Sequence, residues 1–178
     1  MVQTGTAFWG RAETTLTDKP LDPVLYRNAM SRYAGHVQVV TTEAEGVRRG
    51  VTVTAACSVS DSPPSILVCL NNANPSNDIL FRSGFFALNT LAAHHQPLAT
   101  AFAGLSRLES LERFALADWQ TLVTGAPVLA DAIVAFDCRL TDLKHVSTHT
   151  VLFGEVVGIH LGPANPALLY LDRNFRTL

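Results

Sequence analysis

Between Arg49 and Ser60 the chain alternates with period two. Val51, Val53, Ala55, Cys57 and Val59 form an apolar row. Thr52, Thr54, Ala56, Ser58 and Ser60 form a row of small, mostly hydroxylated residues. This alternation predicts one strand over 47–60, with the first row turned to a core. The second row carries no long charged or aromatic side chain, so a flat molecule could approach the backbone there and find hydroxyls and amides at its polar edges. A plain Thr/Ser ladder on a barrel strand fits the same pattern.

The same reading extends along the chain. Residues 1–20 show no periodicity and read as a flexible arm, leaving 21–178 as a single domain. A helix is expected from Leu21, capped by Asp22, with Pro23 at its first position and Gly35 at its end. Its apolar stripe is Val24, Leu25, Met30, Tyr33 and Ala34. His36–Thr42 is a strand that pairs with 47–60 across the turn Glu43–Gly46. Pro63 and Pro64 break the ladder before a buried strand at Ser65–Leu70. The polar loop Asn71–Asn77 leads into a short helix, 78–82, capped by Ser76 or Asn77, where Arg82 could add to an anion site. An ordinary capped helix explains that loop equally well. A strand follows at Phe85–Leu91, with Asn89 its one amide. His94 and His95 fall in a turn. Short helices are expected at 97–103 and over part of 106–114, an irregular stretch at 115–125, and a helical turn at 127–131. Further strands are expected at 133–143, 150–161 and 167–171, before a polar tail. About seven strands without βαβ alternation predict a mostly β fold, an antiparallel barrel with peripheral helices.

Composition narrows the class. The chain has 178 residues, 48% hydrophobic and 16% charged, with a net charge of −2. That describes a globular domain, and the low charged fraction suggests apolar surface buried between subunits. Without a basic run, nucleic acid is not an expected partner. No apolar stretch nears the roughly 18 residues of a membrane span, and the N-terminus lacks signal-peptide character, so a cytoplasmic protein is expected. Cys57, Cys69 and Cys138 lie in separate apolar segments with no CxxC, as buried reduced thiols would.

Catalytic motifs are absent. His145 and His149 flank Val-Ser-Thr and not the interior of HExxH, so no metal site is expected. No GxSxG, GxGxxG, Walker lysine or carboxylate pair occurs. A small-residue cradle with no evident acid–base group suits a protein whose cofactor carries the reaction.

Taken together, the chain resembles the short-chain NAD(P)H:flavin oxidoreductases, the reductase components of two-component flavin monooxygenases. The resemblance rests on ordered pieces: 35–42, 50–60, Pro63-Pro64 with 67–70, Asn74–Ile79, Phe85–Leu91, Gly125-Ala126-Pro127, Asp137-Cys138, His149 with Phe153–Val156, and Leu168-Leu169-Tyr170. It implies an FMN-binding split β-barrel of Greek-key type, a homodimer, FMN or FAD as flavin, and NADH or NADPH as reductant. It implies reduced-flavin transfer to a flavin-dependent monooxygenase. By the same resemblance Thr52, Val53, Thr54, Ala55, Ala56, Cys57, Ser58 and Val59 line the flavin, and Asn74, Ser76 and Asn77 meet its phosphate end. Asn89 and Arg173 lie near the cofactors, and His149 stands where nicotinamide stacks. Ser147-Thr148 replaces the family's Gly-Asp before that histidine. A reductase of another acceptor, such as a corrinoid of the cob(II)yrinic acid a,c-diamide type, and a non-catalytic flavin- or haem-binding protein are the alternatives on this fold.

Overall fold

In the computed structural model, which describes residues 20–178, Asp22 caps the first helix as its chemistry dictates. Its carboxylate accepts the Val24 N–H at 2.8 Å, and Pro23 fills a position whose missing N–H costs nothing. The arm expected for residues 1–20 lies, apart from Pro20, outside the described residues. Helix α1 spans Pro23–Met30 and stops before the expected Gly35, because Ser31 already ends it. None of its residues is buried.

The strands follow as β1 (Gly35–His36), β2 (Gln38–Ala44), β3 (Val47–Val53), β4 (Ala56–Asp61) and β5 (Pro64–Asn71). After a 3-10 turn at Pro75–Asn77 come α2 (Asp78–Arg82) and β6 (Phe85–Thr90). Next are a 3-10 turn at Ala93–His95, α3 (Gln96–Phe102), α4 (Ser110–Phe114), β7 (Trp119–Gln120) and β8 (Val128–Leu129). The chain closes with β9 (Val134–Val146), β10 (His149–Leu161), β11 (Leu168–Leu171) and β12 (Asn174–Thr177).

Seven strands make the main antiparallel sheet, in the order β3-β2-β6-β9-β10-β5-β4. Its two terminal strands, β3 and β4, are consecutive in the chain and joined only by Thr54 and Ala55. The sheet is therefore a split barrel, closed by chain continuity at one seam and not by a ladder. Small sheets of β1, β11, β12 and of β7, β8 sit beside it, where a helical turn at 127–131 and a polar tail were expected. The tail pairs instead, Leu169 opposite Arg176.

Both faces of the central strands are covered, as the unbroken buried runs of β2 and β6 require. Val40, Leu88 and Phe86 join Val53, Val68, Cys138 and Leu152 inside the barrel. Val39, Ala87 and Leu91 face α3, α4 and β8 with Phe102, Phe114 and Leu129. Burying a ring such as Phe86 stabilises by about 1.5–3 kcal/mol. That ring fits because residue 154 is glycine: a Cβ there would lie 2.6 Å from Phe86 Cζ.

The predicted single strand over 47–60 is two strands. The break at Thr54–Ala55 inverts the alternation. Val53 is buried before it; Ala56, not Cys57, packs on the barrel core after it. Cys57, Ser58 and Val59 are exposed. The expectation of a buried Cys57 thus fails, while Cys138 is buried and Cys69 half-buried.

Candidate functional site

The seam between β3 and β4 holds a cavity of about 580 Å³, within the range of small-molecule sites. One wall is Val51 to Val53 of β3 with the Thr54–Ala55 joint. β3 is an edge strand there, so backbone groups along its outer side have no ladder partner. Cys69, Leu70 and Asn71 at the end of β5 form the opposite wall. Ala73, Asn74, Pro75 and Asn77 close one end, and His149, first residue of β10, stands beside Asn71, its ladder partner. The apolar part shields a ligand from water, and the loop supplies amides.

Each side chain is held by the fold. The Thr52 hydroxyl is committed to the Ala99 carbonyl at 2.8 Å, tying β3 to α3. Ala55 keeps its place by accepting the Cys69 N–H at 2.9 Å. His149 Nδ1 lies 2.9 Å from the Thr148 hydroxyl, which sets the ring's rotation and leaves Nε2 for a ligand. Thr150 donates to Asn72 Oδ1 at 2.7 Å and meets His145 Nδ1 at 2.8 Å, anchoring the loop to β10. Burial, with the neighbouring Cys57, pushes the Cys69 thiol up.

Of the residues singled out from sequence, Thr52, Val53, Thr54, Ala55, Asn74, Asn77 and His149 meet at this cavity. Ala56, Cys57, Ser58 and Val59 run on along β4 and do not line it. Ser76 belongs to the Pro75–Asn77 turn at its end. Asn89 is fully buried on the other face of the sheet. There its amide donates to Val39 O and Thr41 Oγ1 and accepts the Leu129 N–H, so it serves the fold. Arg173 occupies the β11–β12 turn and donates to Asn28 of α1. Asn77 does not cap α2; its amide donates to Asn71 O at 3.1 Å. Arg82 pairs with Asp78 on the surface at 2.6 Å, so it adds nothing to an anion site.

Sequence reading missed Val51, Cys69, Leu70, Asn71, Ala73 and Pro75, whose place in the site depends on how the barrel splits. It also passed over Arg49. This β3 residue is 9% exposed, and its Nη2 lies 3.4 Å from Asn77 Oδ1.

His94 and His95, which do fall in a turn, both reach Asp131, at 3.1 and 3.0 Å. They border a second cavity of about 480 Å³. Their ligand atoms lie within 4.8 Å of one another, a spacing a metal ion could span. The hydrogen bonds argue otherwise. Ala92 N–H donates to His95 Nδ1 at 3.1 Å, so the neutral ring carries its proton on Nε2 and gives it to Asp131. A ligating imidazole needs the reverse arrangement. The cluster is a clasp between the Ala93–His95 turn and the β8–β9 link.

The flavin reductase like domain model matches residues 30–178. A curated relative, the FMN reductase (NADH) RutF of Agrobacterium fabrum, is 45% identical over 86% of this chain and 87% of its own length. The solved flavin reductase component BorF of a bacterial two-component tryptophan halogenase is 29% identical. It superposes with a TM-score of 0.81 over 88% of this chain and 98% of its own. The NADH:FAD oxidoreductase SgcE6 of Streptomyces globisporus C-1027, solved with NAD and FAD fragments, is also 29% identical. Its TM-score is 0.79, over 90% of this chain and 96% of its own.

Proposed function

The chain belongs to the flavin reductase family, and from that premise we propose that it is an NADH-dependent FMN reductase that hands reduced flavin to a partner monooxygenase. The observation that carries this reading is the cavity at the barrel's seam. It joins a wall of small residues, an unladdered strand edge and a polar loop in one place.

These residues fit a flavin. A flavin held there would supply the redox chemistry, with reduced nicotinamide as the hydride donor. Thr54 and Ala55 present backbone groups to a heterocycle's polar edge, with no bulky side chain in the way. Val51, Val53 and Leu70 exclude water from the buried side. Asn74 and Asn77 would hold the phosphate end. His149 offers Nε2 to the nicotinamide carboxamide and orients it. Hydride transfer needs stacking and alignment more than proton transfer, so the chain's contribution is positioning.

The named activity of the curated relatives supports FMN and NADH; among the solved structures, component B of nitrilotriacetate monooxygenase supports an oxygenase partner, and the reductase component of a two-component halogenase supports flavin transfer between proteins. NADH use in turn favours the cytoplasm. Among the described residues, no helix is long and apolar enough to cross a membrane. The working unit is a homodimer. Its support is α1, whose Val24, Leu25, Tyr26 and Met30 are 51%, 41%, 58% and 46% exposed, apolar surface that the described residues leave uncovered.

Steady-state NADH oxidation with free FMN, beside light scattering of the flavin-loaded protein, tests the proposal. Turnover that saturates in FMN and a dimer mass are expected. No flavin affinity and no NADH oxidation would overturn the activity; a monomer mass would overturn the dimer.

A further inference from the structure

Arg49 is a buried cation without a counter-charge. It is 9% exposed, and its Nε has no hydrogen-bond partner. The contact to Asn77 Oδ1, at 3.4 Å, is long for a hydrogen bond. No carboxylate among the described residues pairs with it. Burial, and then the like charge of Arg113, pull its pKa down from the ordinary guanidinium range. A guanidinium so placed has lost much of its hydration and regained little. Such an arrangement costs stability until something brings the opposite charge. The neighbour it touches, Asn77, lines the cavity.

We propose that Arg49 receives the phosphate of the flavin's ribityl chain and selects phosphorylated flavins over riboflavin, an inference that rests on the flavin reading above. The planar fork of a guanidinium matches two phosphoryl oxygens at once, which a lysine cannot do. A terminal monoester carries about −1.5 to −2 at neutral pH, more than either phosphate of a pyrophosphate bridge. The same contact therefore favours FMN over FAD. The adjoining face of Asn77 is already fixed by its bond to Asn71 O, so the loop is set to hold the anion against Arg49 without rearranging.

The test is equilibrium binding of FMN, FAD and riboflavin by flavin fluorescence, in wild type and in Arg49→Met. Wild type should bind FMN at least about 10-fold more tightly than riboflavin, or about 1.4 kcal/mol, with FAD between them. Arg49→Met should lose that preference while its riboflavin affinity stays within about 2-fold of wild type. Its melting temperature without ligand should hold or rise, since an unpaired buried charge has gone. An equal loss for FMN and riboflavin, or an unchanged FMN affinity, would overturn the assignment. Inorganic phosphate added to the wild type makes the test independent of any variant's folding. It should compete with FMN and not with riboflavin; an equal effect on both, or none on FMN, overturns the proposal. A wild type that binds riboflavin as tightly as FMN leaves the flavin reading intact and removes Arg49 from it. A wild type that binds neither overturns both.

Discussion

Exchanging single residues on either side of the Thr54–Ala55 break tests where the site lies. Ala55 is exposed, lines the cavity and follows the end of β3. Ala56, next in the chain, packs on the barrel core beside Val53 and Val68. In Ala55→Trp the indole enters the cavity without meeting the core, so stability should stay within about 0.5 kcal/mol of wild type. A ligand ring displaced from roughly 100 Å² of apolar wall loses about 2.5 kcal/mol, at about 25 cal/mol per Å². Flavin affinity should then fall about 70-fold. In Ala56→Trp the indole is forced into a filled interior at a cost of about 1–3 kcal/mol. For a chain of this size the melting temperature should fall by roughly 2–12 °C. Differential scanning fluorimetry and flavin titration read both variants. Had the alternation of 49–60 continued unbroken, Ala56 would face the ligand and Ala55 the core. Loss of flavin binding in a thermally unaltered Ala56→Trp, together with destabilisation in Ala55→Trp, would restore that arrangement and refute the break.

His149→Ala should slow reduction of bound flavin by NADH at least about 10-fold, a lost contact of about 1.4 kcal/mol, with a smaller change in flavin affinity; stopped-flow rates equal to wild type would remove His149 from the site. Burial, with the neighbouring Asp137, pushes the Cys138 thiol up to about 12, so it should resist alkylation at pH 8 until the protein unfolds, as mass spectrometry of labelled protein will read. The clasp at Asp131 should make the fold acid-sensitive. Burial outweighs the Asp131 charge and holds the His95 pKa below its ordinary value, so between that lowered pKa and about 6.5 the unfolded chain binds the extra proton and stability falls as pH drops. Burial raises the Asp131 carboxyl, but the hydrogen bonds from His94 and His95 together with the His95 charge lower it further, so its contribution is lost in the same direction at still lower pH. His95→Gln keeps a donor to Asp131 without titrating, and should flatten the melting-temperature slope between about pH 6.5 and 5; an unchanged slope would place the sensitivity elsewhere.

The strands were legible where one local pattern decided them. In β2 and β6 the apolar runs need both faces covered, and both faces are. The hairpin between β2 and β3 was written in Glu45 and Gly46, which turn at positive φ of 54° and 76°. The end of β3 was not legible. Thr54 and Ala55 continue the alternation and carry no proline or glycine, so nothing local marks them as a joint. What breaks the strand is global: a seven-strand sheet whose first and last members are sequence neighbours must change edges between them. The C-terminal hairpin was missed for a related reason. Asn174–Thr177 is polar and has little intrinsic strand preference; its pairing is supplied by β11.

The site divides the same way. Thr52 and Thr54 stood out by residue type, because small hydroxylated residues suit a flat polar ligand wherever the fold gathers them, whereas the roles of Asn74 and Asn77 came with the family resemblance. The error ran one residue past the joint, where the inverted alternation turns Ala56 inward and leads Cys57 and Val59 off along β4. Arg49 was hidden by the rule that served elsewhere. Before an apolar run, a charged residue reads as the solvated end of a strand, and burial of a charge has no periodicity to betray it. Only the packing of β3 beneath Asn77 shows that this guanidinium is out of water. A feature that costs stability unless a ligand completes it is therefore the one that sequence patterning, which tracks what stabilises the fold alone, is least able to reveal.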